Sequence, residues 1–113
     1  MSEILAAAQT LADAISGSGE YADYRKSRIR VMENPDVAEK LFDFKKKQAA
    51  VELRRLQNQI ITFDEEKQLS HQYAELSLNE TAGRFLECED VFLGLYNRAL
   101  ELINGACEID VIL

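Results

Sequence analysis

Side chains that could perform acid–base chemistry or bind a metal are few in this chain. Its acids form two clusters, Asp64-Glu65-Glu66 and Glu87-Glu89-Asp90. Neighbouring carboxylates can serve as general acid and base or coordinate a divalent cation. However, the first cluster stands where a helix is predicted to begin, and the second lies on the polar side of an amphipathic helix. The single histidine, His71, has no second histidine or cysteine at ligand spacing, so we predict neither a catalytic nor a metal site.

Two cysteines, Cys88 and Cys107, are the candidate thiolates. They lie 19 residues apart on one predicted helix, which separates them by about 28 Å at about 1.5 Å per residue. A disulfide needs Cα atoms within about 7 Å, so the two cannot pair within a straight helix or jointly hold one metal. We predict that both are core thiols, because free cysteine behaves as a small buried hydrophobe.

The charge is uneven along the chain. The net charge is −7, with a balance of +1 over residues 1–63 and −8 over residues 64–113. A general affinity for nucleic acid is therefore not expected, because phosphates would repel the C-terminal half. The exception is a group that we call the basic cluster, which follows Tyr21 and Tyr24 and consists of Arg25, Lys26, Arg28 and Arg30. Its side chains spread around the helix, which is typical of a solvated surface; contact with RNA or a partner protein is the alternative.

Composition predicts one all-helical domain covering residues 1–113. The chain contains one proline and five glycines, and 47% of its residues are hydrophobic, enough for a modest core. Its commonest residues lose little side-chain freedom in a helix. The N-terminus has no basic leader, and no apolar run approaches the roughly 20 residues of a membrane helix, so we expect a cytoplasmic location.

Apolar periodicity predicts about five helices. Ile4, Ala8, Leu11 and Ile15 mark the first, and the second covers 19–33. Asn34-Pro35 starts a third, on which two neighbouring stripes predict a wide buried face. One stripe contains Val37, Leu41, Phe44, Gln48 and Val51; the other contains Ala38, Phe42, Ala49, Leu53, Leu56 and Ile60. Thr62 and Glu65 form a capping box for the fourth helix.

The last helix has the strongest pattern. Apolar residues recur every three or four positions from Phe85 to Ala106, and a helix over 79–105 would be about 40 Å long. A compact domain of this size has a radius of gyration near 13 Å, so we predict an elongated bundle whose two long helices need a partner. An antiparallel homodimer would supply it. The interface candidates are Phe85, Phe92, Leu95, Tyr96 and Leu102.

Four segments carry a family resemblance: SGEYADYRKS, NPDVAEKLFDFKKKQ, FDEEKQ and LNETAGRFLECEDVF. Over about residues 3–105 the chain resembles the YlbF/YmcA family of small bacterial helical proteins. The positions that match the family pattern are Ser18, Glu20, Tyr21, Tyr24, Pro35, Phe44 and Gln48. The chain differs by lacking a glycine in QNQIITF, between the third and fourth helices.

The resemblance implies a non-enzymatic regulatory adaptor. Similar proteins self-associate and promote competence, biofilm formation and sporulation by joining a complex that modulates the endoribonuclease RNase Y. The implied partners are thus a second copy, related helical proteins and an endoribonuclease. Some related complexes hold iron–sulfur clusters, but two isolated cysteines cannot supply four ligands, so we expect no cofactor. The alternatives are direct RNA binding by the basic second and third helices, and a sensor that uses Cys88 and Cys107 across a dimer.

Overall fold

The computed structural model describes residues 2–107, of which 88% are helical. The helices are α1 (Glu3–Ser16), α2 (Gly19–Met32), α3 (Pro35–Leu56), α4 (Phe63–Leu78) and α5 (Glu80–Ala106). The prediction of an all-α fold with two long helices is confirmed, and these residues contain no β-strand. None of the helices in the described range combines the length and the hydropathy that a membrane span requires.

The described residues group into two compact units. One consists of residues 2–25 and 87–107, and the other is Lys26–Leu86. The second unit contains nearly all of the core, whose buried apolar residues are Val31, Val37, Ala38, Leu41, Phe44, Val51, Leu76, Ala82, Phe85 and Leu86. In the first unit, within residues 2–25 and 87–107, Cys88 is the one buried residue. The assignment of the whole chain to a single domain stays a prediction.

Helix α1 buries none of its residues. Its predicted apolar stripe includes Ile4 and Leu11, which are 79% and 37% exposed. The helix forms with Ser2 as its N-cap, whose hydroxyl accepts a hydrogen bond from the Ile4 N–H at 3.1 Å. The periodicity therefore predicts the helix correctly, but a stripe alone does not show that anything packs against it.

Helix α2 ends at Met32, one residue before its predicted end. Its buried residues are Ser27 and Val31, which the sequence interpretation did not identify. Its larger apolar residues Ile29 and Met32 are 55% and 54% exposed.

Helix α3 begins as predicted at Asn34-Pro35. The Val37 N–H donates to Asn34 Oδ1 at 3.4 Å, and Pro35 takes the first helical position, where its missing N–H costs nothing. The first predicted stripe has Val37, Leu41, Phe44 and Val51 buried, and the Phe44 ring lies 6.0 Å from that of Tyr73 on α4.

The second predicted stripe of α3 is largely exposed. Phe42, Leu53 and Leu56 are 47%, 56% and 80% exposed. The prediction of one wide buried face was therefore wrong for this stripe. A side chain two residues along a helix points to nearly the opposite side, so Phe42 faces away when Phe44 faces the core.

The connection from α3 to α4 uses an asparagine where a glycine is common. Asn58 has φ 59°, in the left-handed region. The Gln59 N–H donates to the Arg54 carbonyl at 2.9 Å, and the Asn58 N–H donates to the Arg55 carbonyl at 3.1 Å. This is a Schellman motif, which satisfies the last carbonyls of α3. Asparagine tolerates the left-handed region better than most residues, so the missing glycine leaves the turn intact.

An ion pair joins the two ends of this connection. The Arg54 guanidinium donates to the Glu65 carboxylate and, at 2.8 Å, to the Ile60 carbonyl. The predicted cap is confirmed, since the Glu65 N–H donates to Thr62 Oγ1 at 3.1 Å. The hydrogen bond from Arg54 and its charge hold the pKa of Glu65 below the ordinary value of 4.5. The acid cluster 64–66 therefore stabilises a helix start.

Helix α5 follows α4 through a tight junction. The Ala82 N–H donates to Asn79 Oδ1 at 2.9 Å, so Asn79 caps the start of α5. Gly83 lies so close to α4 that an added Cβ would stand 2.6 Å from the Ser77 carbonyl oxygen. The junction therefore requires glycine at this position.

The two cysteines differ in exposure. Cys88 is buried, as predicted, but Cys107 is exposed, so the prediction of a core thiol was wrong there. Helix α5 ends at Ala106, one residue beyond the predicted end, and Cys107 follows it outside the helix. Residues 108–113, for which the sequence leaves open a last helical turn or a docking tail, lie outside the described residues.

Candidate protein-interaction surface

Four aromatic rings meet in the unit formed by residues 2–25 and 87–107. Phe92 of α5 lies 5.1 Å from Tyr21 and 5.4 Å from Tyr24, both on α2. Tyr96 follows one turn along α5, at 6.2 Å from Phe92, and the two α2 tyrosines are 6.5 Å apart. These separations are typical of aromatic pairs in protein cores. We call Tyr21, Tyr24, Phe92 and Tyr96 the aromatic cluster.

The family motif SGEY explains how α2 presents its tyrosines. The Ser18 hydroxyl accepts a hydrogen bond from the Tyr21 N–H at 3.1 Å and donates to the Ile15 carbonyl at 2.7 Å. One side chain thus caps the start of α2 and closes the end of α1. Glu20 lies in the first turn of α2, where its charge complements the helix dipole. The motif therefore has a structural role: it stabilises the first turn of α2, which contains Tyr21.

The basic cluster starts immediately after these tyrosines. Its four side chains, Arg25, Lys26, Arg28 and Arg30, are all exposed. The Arg25 guanidinium lies 5.9 Å from the centre of the Tyr21 ring and donates to the Tyr21 hydroxyl at 3.4 Å. A cation over an aromatic ring at this distance stabilises both groups, so Arg25 restrains the exposed edge of the aromatic cluster.

From Val91 to its C-terminal end, α5 exposes most of its large apolar side chains. We define the α5 surface as Val91, Leu93, Leu95, Tyr96, Leu100, Leu102 and Ile103, which are between 40% and 61% exposed. The exposed apolar residues of α1 in the same unit are Ile4, Leu5 and Leu11. Within the α5 surface, Leu93, Tyr96, Leu100 and Ile103 recur at spacings of three and four and so form one exposed apolar stripe, which is typical of an interaction site.

The predicted interface residues divide into three groups. Phe85 is 6% exposed and belongs to the core, so it is not accessible to a partner in this structure. Phe92 is half-buried within the aromatic cluster. Leu95, Tyr96 and Leu102 are exposed on the α5 surface. Their role in an interface stays a prediction.

The structure brings together two surfaces that the sequence interpretation treated as separate. Phe92 and Tyr96 belong to the predicted α5 interface, and Tyr21 and Tyr24 to the predicted α2 partner surface. The interpretation did not name Leu93, Leu100 or Ile103 as interface residues, although all three lie in an apolar seam with seven-residue spacing. The seven-residue spacing could have identified these residues from the sequence, because it is typical of a helix that packs lengthwise against another helix.

A groove between α3 and α4 is a concave feature of the unit Lys26–Leu86. It measures about 420 Å³ and is lined by both signs of charge, including Lys40, Asp43 and Glu75. Gln72 donates to Asp43 at 3.3 Å, and a hydrogen bond from Lys47 lowers the pKa of Asp43 below its ordinary 3.8. Asp43 is therefore held ionised by its neighbours, a state that suits an ion pair better than acid–base catalysis.

The residues that could bind metals remain apart. Within residues 2–107, no group of three or more His, Cys, Asp and Glu side chains is placed to hold a metal ion. His71 is exposed on α4. What the described residues offer for function is therefore surface chemistry: an apolar α5 surface, an aromatic cluster beside it and exposed basic side chains.

Comparison with known proteins identifies the family of the chain. The chain is 31% identical over 105 residues to a "UPF0342 protein" of Halothermothrix orenii, covering 92% of this chain and 88% of that relative. It is 25% identical over 104 residues to a "UPF0342 protein" of Clostridium tetani, covering 92% and 90%. No solved structure matches the chain. The family model described as "Control of competence regulator ComK, YlbF/YmcA" matches residues 4–106, and the chain belongs to that family.

Proposed function

We propose that the protein is a non-enzymatic regulatory adaptor that acts by binding other proteins. The observation that carries the proposal is the exposed α5 surface. Apolar area in water gains about 25 cal/mol per Å² when a partner covers it, so this surface favours association. The description of the family as a control of a competence regulator supports a regulatory role.

The proposal includes self-association through the exposed stripe of α3. Phe42, Ala49 and Leu56 recur every seven residues, which is coiled-coil spacing. The unit Lys26–Leu86 contains eleven basic and ten acidic residues, a net charge of +1. Two copies of this unit can approach without strong repulsion. The stripe therefore suits a second copy of the chain.

The pathway in the proposal comes from the family resemblance. We infer that the protein joins related helical proteins in the cytoplasm and modulates RNase Y and messenger RNA processing in competence, biofilm formation and sporulation. The chain is not expected to bind an iron–sulfur cluster by itself. Cys88 is buried and Cys107 exposed, and a cluster needs four ligands.

Co-purification from the protein's own cells tests the adaptor function. The tagged protein is compared with a variant in which Leu95 and Leu102 are both glutamate. We expect the wild type to recover specific proteins and the variant to lose them while keeping its helical circular dichroism. The matched control is Leu78→Glu, because Leu78 is 89% exposed but lies on α4. Equal recovery by all three proteins contradicts the proposal.

Two further variants separate the other surfaces. Leu53→Glu should shift the sedimentation of the protein towards the monomer if the α3 stripe binds a second copy. Replacing the four residues of the basic cluster with serine should weaken partner recovery if the tyrosine side of α2 takes part. If either variant behaves as the wild type, the surface that it alters takes no part in the proposed binding.

Direct RNA binding is the second candidate function. The observation in its favour is the exposure of all four side chains of the basic cluster. Binding through phosphates must weaken steeply as salt rises, so a labelled transcript titrated at two salt concentrations decides the question. Absence of saturable binding at low salt would end this alternative.

A further inference from the structure

The unit that exposes the α5 surface is strongly acidic. Residues 2–25 and 87–107 contain eight acidic and two basic residues, a net charge of −6. Both basic side chains interact with residues of the same unit: Arg98 donates to Glu101 at 3.2 Å, and the Arg25 guanidinium lies over the Tyr21 ring. The exposed apolar residues of this unit therefore lie in a field of negative charge.

The spacing on the α5 surface indicates the shape of its occupant. Four exposed residues recur at spacings of three, four and three, which places them on one face of the helix: Leu93, Tyr96, Leu100 and Ile103. A seven-residue repeat fits a second helix that packs lengthwise along α5. An added strand would need an open sheet edge, and residues 2–107 contain no sheet.

The negative charge of this unit disfavours some classes of binding partner and favours others. A second copy would bring two α5 surfaces together within units of charge −6 each, and like charges placed opposite one another disfavour association. Nucleic acid and anionic lipid are repelled in the same way. Lysine or arginine on the flanks of an apolar helix is instead attracted, in particular by Asp90, which precedes Leu93 by three residues and is exposed.

We propose that the α5 surface binds a basic amphipathic helix of a partner protein. The inference rests on the proposed adaptor function, because it names the partner class for the same surface. Leucines on one face of the partner helix cover Leu93, Tyr96 and Leu100, and its basic flanks lie near Asp90 and Glu101. The partner helix forms fully when it binds, since short isolated helices are marginal in water.

Three designed peptides of equal length test the proposal against the full chain. One has leucines at heptad positions with lysine flanks, the second has glutamate flanks, and the third has the composition of the first with its leucines scattered. Fluorescence anisotropy should show saturable binding for the first alone, weakening as salt rises. Comparable binding of the second or third peptide, or no binding of the first, overturns the proposal.

Charge variants locate the site. Replacing Asp90 and Glu101 with lysine should raise the dissociation constant of the lysine-flanked peptide about tenfold. The matched control replaces Glu33 and Glu75, two exposed acids of the other unit, with lysine. Equal effects of the two pairs would show a response to net charge and would overturn the site. If the peptides fail while co-purification still depends on Leu95 and Leu102, the helix inference fails and the adaptor function stands.

Discussion

Gly83 offers a direct test of how α5 is joined to α4. A methyl group at this position would stand 2.6 Å from the Ser77 carbonyl oxygen and 3.3 Å from its carbonyl carbon. Both atoms belong to the backbone, so no side chain can rotate out of the way. The Gly83 N–H also donates to the Asn79 carbonyl at 2.7 Å, and this bond restrains the first turn of α5. Gly83→Ala therefore forces the junction to open.

The expected loss is the difference between two effects. Alanine is favoured over glycine in a helix by about 1 kcal/mol. Overpacking a buried contact typically costs about 1–3 kcal/mol. We therefore expect Gly83→Ala to destabilise the protein by up to about 2 kcal/mol, or up to roughly 8 °C in Tm for a chain of this size.

Gly94 provides the matched control. It lies inside the same helix, but an added Cβ there meets nothing within 4 Å. Gly94→Ala should therefore raise the free energy of unfolding by up to about 1 kcal/mol. Urea unfolding followed by circular dichroism compares both variants with the wild type. If Gly83→Ala proves as stable as Gly94→Ala, the close approach of the Ser77 carbonyl does not determine this junction.

Two other predictions concern the connection between α3 and α4. Asn58→Ala should lower the free energy of unfolding by about 1 kcal/mol, because alanine is strained at φ 59°, whereas Asn58→Gly should preserve it; equal losses in urea unfolding would contradict the turn geometry. Arg54→Met should destabilise the protein at neutral pH. Because Arg54 lowers the pKa of Glu65 below 4.5, its contribution is complete above that pH and declines as the pH falls through the folded-state value. The stability difference should therefore shrink in acid without vanishing, since the bond to the Ile60 carbonyl is also lost, and a difference that does not change with pH would refute this role.

Helix boundaries were predictable because their determinants are local. Asn34-Pro35, Thr62 with Glu65, and Asn79 each cap a helix through side chains within three residues of the N–H they bind. A single sequence contains all of that information. The observed helix ends differ from the predicted ones by one residue at Met32 and Ala106. The Schellman turn at Asn58 was missed because asparagine occupies the left-handed region less regularly than glycine.

Which apolar stripes are covered could not be predicted. On α3 the stripe with Phe44 is buried and the stripe with Phe42 is exposed, although both have helical spacing. On α5 Phe85 lies in the core, whereas Leu95 and Leu102, in the same periodic seam, are exposed. Periodicity reports that a face is apolar, but burial depends on which other elements reach it.

By itself the sequence determined the helical fold, the caps that delimit its helices, the family and the separation of charge between the two parts of the chain. These properties depend on local spacing and composition. Only the tertiary structure decided that Tyr21 and Tyr24 meet Phe92, that Gly83 must lack a side chain, and that the α5 surface is uncovered. The ring contacts and the exposure of α5 depend on which residues far apart along the chain pack together, and the requirement at Gly83 depends on how closely α5 approaches the end of α4.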